Sequence, residues 1–329
     1  MLVKLRPDGF TLALFAVVAV ASVLPCRGDA ADAFAIATRL AIMLLFFMHG
    51  AKLSREAIVR GAGAVKLHLS ALGVTYIVFP LIALGIALAP DRIVSADIKA
   101  GLMFLAVLPS TVQSSIAFTS IGHGNVAAAV CSASLSNIIG VFLTPLLAGL
   151  LIHAQGAGGE IDTIAAIRSV VLTLLIPFIV GHLSRPLTGR FVDRHKAFLG
   201  KLDRGSILLV VYAAFSAAVV DGLWSRVSGV DLATIAGLSV LLLAAVLLVS
   251  LTLSRVFGMS RADEVALVFC GSTKSLASGV PIAAALFAAP LVGMLILPLM
   301  IYHQIQLIVC AVIARVYADH PEPAASAAE

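Results

Sequence analysis

Along the whole chain, apolar runs of about twenty residues follow one another, each bounded by charge, proline or glycine. A run of that length crosses the hydrocarbon of a bilayer as one α-helix, and inside hydrocarbon only helices and closed barrels satisfy their own backbone. Ten runs qualify, at roughly 9–26, 32–51, 64–89, 98–121, 125–152, 163–187, 204–223, 231–254, 262–287 and 290–316. With 61% hydrophobic and only 12% charged residues in 329, little material is left for a soluble domain. The sequence predicts an all-α polytopic membrane protein of ten transmembrane helices.

The net charge of +5 sorts by side of the membrane. The first run follows Lys4 and Arg6 and imitates a signal peptide, but Pro25 before Cys26 spoils a lipoprotein cleavage site, and we keep it as a helix. Fifteen basic residues then fall on the inner side: Lys4, Arg6, Lys52, Arg55, Arg60, Lys66, Arg185, Arg190, Arg194, Lys196, Lys201, Arg204, Arg255, Arg261 and Arg315. Five fall outside: Arg27, Arg92, Lys99, Arg168 and Arg226. This predicts a multi-pass protein of the plasma membrane (the inner membrane of a bacterium) with both termini cytoplasmic. Topology accounts for the basic charge, so no nucleic acid is expected as a partner; the bilayer is. No GxxxxGK[ST] occurs to hold a nucleotide. Cys26, Cys131, Cys270 and Cys310 form no CxxC pair, and we read the last three as small hydrophobes.

The longest polar connection, 185–204, divides the chain into a five-helix repeat at 1–155 and another at 160–318, with a short cytoplasmic tail at 319–329. Five spans reverse the direction of entry, so a repeat would be inverted. Leu108-Pro109-Ser110-Thr111 in the fourth run echoes Cys270-Gly271-Ser272-Thr273 in the ninth.

No Asp or Glu lies deep in a run, which argues against an intramembrane carboxylate relay or a carboxylate-caged metal; no cofactor is expected. Neutral polar residues concentrate in four places: Ser110, Thr111, Gln113, Ser114 and Ser115; Ser132, Ser134, Ser136 and Asn137; Ser272, Thr273, Lys274, Ser275 and Ser278; and Tyr302, His303, Gln304 and Gln306. Serines in membrane helices commonly bond back to their own backbone or join helices. Pro109 and the group Gly271, Gly279 and Pro281 favour more, because paired helix interruptions in two halves point to a midplane transport site. Lys274 is costly near the bilayer centre and must face the interior. Two functions suit it, binding an anionic substrate or standing in for a bound cation. The structural alternative is a lysine bonded to carbonyls of a broken helix.

The GHGN turn at Gly122–Asn125 running into VAAAVCSASLSNIIGVFLTPLL, the segment FCGSTKSLASGVPIAAALF, and the run MIYHQIQLIVCAVIA resemble the bile acid:sodium symporter family, the last closest to its bacterial and cotransporter-7-like branch. The resemblance covers about residues 10–318. It implies two inverted five-helix repeats, a panel domain of spans one, two, six and seven, a core domain of the rest, and unwound crossing helices four and nine. It also implies alternating access and an organic anion moved with sodium. The ion ligands depart from the family pattern. The family's span-three Gln is Thr75, its span-four Ser-Asn pair is Ser114-Ser115, and its acidic and amide ligands in span nine fall on Ser272 and Leu276, two residues either side of Lys274.

The sequence thus points to a secondary active, symporter-like carrier for a small organic anion, not an enzyme. Substrate contacts are expected from Ser110, Thr111, Gln113, Ser272, Thr273, Lys274, Ser275, His303 and Gln304. A possible sodium ion, with proton coupling as the alternative, would engage Thr75, Ser114, Ser115, Ser132, Ser134, Ser136, Asn137 and Ser278. Two other classes compete: a non-transporting regulatory protein built on the same fold, and an intramembrane enzyme using Ser272 or Ser275 with Lys274 as a dyad.

Overall fold

The computed structural model describes residues 9–52, 63–153, 168–169 and 171–320, and these contain helices and no strand. In chain order the helices of eight or more residues are α1 (Gly9–Val23), α2 (Asp29–Lys52), α3 (Val65–Ala87), α4 (Ala96–Ala106), α5 (Val112–Ile121), α6 (Val126–His153), α7 (Val171–Arg194), α8 (Lys196–Val220), α9 (Gly229–Val256), α10 (Arg261–Ser272), α11 (Leu276–Leu286) and α12 (Ala289–Asp319). Eight stretches among the described residues are long and apolar enough to cross a membrane: α2, α3, α6, α7, α8, α9, the α10–α11 pair and α12. The first predicted span is a 15-residue helix, and the fourth is divided between α4 and α5, of 11 and 10 residues. Lys4, Arg6, Arg55, Arg60, the predicted boundary at 155–160 and most of the tail lie outside the described residues.

One expectation needs correction. The polar segment 185–204, read as the longest connection, is almost entirely helical: α7 continues to Arg194 and α8 starts at Lys196, leaving only His195 between them. Hydropathy marks how much of a helix sits in hydrocarbon, and a helix extends past that boundary wherever its charged side chains reach water.

The packing follows from which helices are apolar all round. The α10–α11 stretch is the most enclosed, 94% of its apolar window being buried, and α3, α5, α6, α9 and α12 surround it. On the other side α2 lies against α7 and α8, and α1 against α8. Helix α8 joins the two groups through α11 and α12. Outward-facing Leu40, Leu81, Leu183 and Leu248 form the apolar surface a bilayer covers. The GHGN turn is a clasp: His123 adopts φ 56°, Asn125 caps α6 by accepting from Ala128 N, and its amide donates to Asp263 Oδ1 at 2.8 Å.

Helices α2 and α7 meet backbone to backbone. A Cβ on Gly50 would stand 2.0 Å from Phe178 O, and one on Gly181 2.0 Å from Phe47 O. Small residues of this kind let membrane helices approach closely. Gly181→Ala is expected to destabilise the protein by about 1–3 kcal/mol, the usual cost of overpacking. Gly149→Ala, where nothing lies within 4 Å, should cost far less. Thermal unfolding of the two detergent-purified variants checks the difference.

Candidate functional site

Two local sequences stop helices. Pro109 lacks an N–H and disfavours helical geometry at Leu108, so α4 ends at Ala106 and α5 resumes at Val112. In the second half α10 ends at Ser272 and α11 begins at Leu276, where the Ser275 hydroxyl accepts from Ser278 N at 3.1 Å. These starts are 164 positions apart, so Thr111 corresponds to Ser275 and Ser110 to Lys274. The echo read in the sequence set the two segments two residues out of that register.

The two breaks lie against each other and serve each other's backbone. Ser275 N donates to Pro109 O at 2.9 Å, Thr111 Oγ1 to Lys274 O at 3.0 Å, and the hydroxyls of Ser110 and Thr273 share a hydrogen bond at 3.1 Å. Helix α6 completes the first break. Thr144 donates to Val107 O at 2.8 Å, Ser136 Oγ accepts from Ser110 N at 3.1 Å, and the Asn137 amide donates to Ser110 O at 2.7 Å. Helix α12 completes the second. Tyr302 donates to Ser272 O at 2.7 Å, while Gln306 accepts from Lys274 N at 2.8 Å and donates to Lys274 O at 3.0 Å. The other amide proton of Gln306 goes to His303 Nδ1 at 2.8 Å, which leaves the ring proton on Nε2. Unwound backbone at membrane depth is tolerated only when satisfied in this way.

Lys274 is fully buried, and its ammonium donates to three carbonyls: Thr75 O at 2.9 Å, Ala106 O at 2.8 Å and Leu108 O at 2.8 Å. Each is free for a reason. Ala106 and Leu108 lie at the end of α4, where the next turn is missing. In α3 the residues Val74–Val78 are π-helical, with Phe79 N bonded to Val74 O five residues back. In that register the partner of Thr75 O would be the N–H of Pro80, which does not exist. The ammonium also sits 3.9 Å from the centre of the Phe79 ring.

Beside the breaks lies a cavity of about 510 Å³. Its inner wall is the first turn of α5 (Val112, Gln113, Ser114) and of α11 (Leu276, Ala277, Ser278), with Thr111, Ser275, Asn137 and His303. Its opposite wall is Phe46, His49 and Lys52 of α2, Phe178 of α7, and Asp203, Arg204 and Ile207 of α8. Lys52 and Asp203 are ion-paired across that wall. Two helix N-termini, which carry free N–H groups and a positive dipole end, therefore face the same space.

Of the residues expected at a substrate, Thr111, Gln113, Ser275 and His303 line the cavity. Ser110, Ser272, Thr273 and Lys274 are buried behind it, holding the breaks, and Gln304 lies half-buried on another face of α12. Lys274 does not reach the cavity; it is bonded to main-chain carbonyls of α3, of the end of α4 and of the segment that follows it. The dyad geometry is not formed: the Ser272 hydroxyl donates to Val268 O, that of Ser275 to Ser278, and the lysine to carbonyls. Two groups of residues escaped the sequence reading. Lys52 and Arg204 entered the sequence reading only as inner-side basic residues, and His49 and Asp203 not at all. Gln306 was noted as polar but not assigned, although its spacing three residues after His303 puts both on one helical face.

Of the residues expected at a sodium ion, Ser115, Ser136, Asn137 and Ser278 already have hydrogen-bond partners in the protein. Sodium needs several converging oxygens and preferably a carboxylate. Ser115 is bonded to Thr273, Ser136 to Ser110 N, and Asn137 to Ser110, Ala133 and Ser278. Ser134 lines the cavity. The hydroxyls of Thr75, Ser114 and Ser132 are buried without a hydrogen-bond partner, but no group of three or more acidic, His or Cys residues forms among the described residues. Gln306→Leu should strip Lys274 N of its partner and destabilise the protein by about 1–3 kcal/mol, the cost of one buried orphan donor. Chemical denaturation of the purified variant measures it.

The sequence pattern of the SBF-like CPA transporter family matches residues 8–319. "Putative symporter YfeH" of Escherichia coli is 51% identical over 317 residues, covering 96% of this chain and 94% of that protein. PA2026 of Pseudomonas aeruginosa is 50% identical over 324 residues, covering 98% and 97%. Sodium/bile acid cotransporter 7 of Danio rerio is 25% identical over 320 residues, covering 95% and 94%. A match over nearly the whole length, on a helical fold with two facing helix breaks, places this chain in the SBF-like CPA transporter family.

Proposed function

We propose that this chain is a secondary active carrier that moves a small organic anion by alternating access. The observation that carries this reading is the cavity of about 510 Å³, walled on one side by the first turns of α5 and α11. That volume suits a small molecule, and two helix N-termini favour a negative group. Thr111, Gln113, Ser275 and His303 would hold it from one side, and Lys52 and Arg204 would attract it from the other. Adding α1 and the α4–α5 pair to the eight apolar stretches gives ten spans in two inverted repeats. In this reading α1, α2, α7 and α8 form a panel that rocks against the remaining helices, and the cavity lies between the two groups. The close α2–α7 contact supports movement of the panel as one body. Both termini would be cytoplasmic, so an alkaline phosphatase fused at the C-terminus should stay inactive in a bacterial host. Nothing in the fold or in the relatives' names points to the non-transporting alternative.

Ala277 lines the cavity without taking part in the hydrogen-bonded breaks. Purified protein screened against a set of mono- and dicarboxylates, sulfonates and phosphate esters should be thermally stabilised by one class, and proteoliposomes should accumulate it. Ala277→Phe puts a bulky ring into the cavity beside the first turn of α11 and should abolish both effects while leaving the unliganded unfolding temperature close to that of the parent. Stabilisation that survives Ala277→Phe would place the ligand elsewhere and sink the reading.

A further inference from the structure

The three carbonyls around Lys274 come from three different chain positions, and all point at one atom. Thr75 O, Ala106 O and Leu108 O lie 2.8–2.9 Å from Nζ, and the Phe79 ring faces it from 3.9 Å. Carbonyls only accept, so three of them demand three protons, and only the charged ammonium supplies three. None of the ion pairs among the described residues includes Lys274. Oxygens from a helix end and an aromatic face around one positive charge are the surroundings of a bound monovalent cation, here attached to the chain.

We infer that Lys274 is a tethered cation: its ammonium fills a site for a small monovalent cation formed by the carbonyls of Thr75, Ala106 and Leu108 and the face of Phe79. On this inference the positive charge of the region is already supplied by the chain. Resting on the carrier reading above, it follows that sodium does not drive the cycle through the helix breaks. The site itself is tested without any transported substrate.

Removing the side chain should turn the cage into an open cation site. Lys274→Ala and Lys274→Ser are purified with ammonium chloride present throughout. Their unfolding temperatures are then measured against ammonium, sodium and potassium chloride, with choline chloride as the control too large to enter. The parent protein and Lys274→Met, which keeps an apolar stem in the cage, are measured alongside. The expected result is a saturable rise of several degrees with ammonium or an alkali cation in the Ala and Ser variants, and none in the parent or Lys274→Met. Ala and Ser variants that respond to every salt as the parent does would overturn the inference. So would their loss in every salt while Lys274→Met folds normally, because the stem and not the charge would then be what matters. If no neutral variant accumulates, the parent decides: saturable stabilisation by sodium overturns the inference and indifference upholds it. A negative result in the anion screen leaves each of these outcomes unchanged.

Discussion

A carbonyl oxygen released from its helix in the middle of a membrane protein has no water to turn to, and each one left bare costs several kcal/mol. This fold releases several at once. Pro80 and the π-turn before it free one in α3, and the missing turn after α4 frees two more. A single ammonium bonds all three, because a lysine at the crossing of the breaks brings three donors on a flexible stem. The rest of the core is arranged around that solution. Gln306 fixes the backbone of the lysine, Thr111 and Ser275 stitch one break to the other, and Ser136, Asn137 and Thr144 of α6 take the groups the lysine cannot reach.

The helical class and the stretches long enough to cross a membrane were legible because hydrocarbon thickness imposes a fixed apolar length. Both breaks were legible too, from Pro109 and from the glycines around Lys274. What the sequence blurred was where helices end in the aqueous boundary, as at 185–204, since charged side chains there are as compatible with helix as with loop. It also blurred which polar residues face a cavity and which hold backbone. Ser110 and Thr111 are neighbours of the same chemistry, yet one is buried in the break and the other lines the cavity. That separation is set by which way each residue of a non-helical segment points, and no periodicity encodes it. Lys274 was read correctly as interior, but its partners are main-chain carbonyls, which carry no signature in the side-chain sequence.

A division of labour results. Residues with their hydrogen-bonding capacity spent on the breaks make a rigid frame, and residues left at the surface of that frame make the cavity wall. His303 belongs to both, since its Nδ1 accepts a hydrogen bond from the same Gln306 amide that holds Lys274 and its side chain also borders the cavity. The Lys52–Asp203 pair links α2 to α8 on the opposite wall, so the two sides of the cavity are organised by different means. One rests on hydrogen bonds to broken backbone around a buried ammonium, the other on an ion pair between two helices.

The lysine that satisfies Thr75, Ala106 and Leu108 comes from the far half of the chain, more than 160 residues after the nearest of them. Without the second half of the chain, α3 and the end of α4 therefore lack the donor that these three carbonyls take in the folded protein. The broken helices thus tie the two halves together: the first half's crossing is complete only with a donor that the second half supplies.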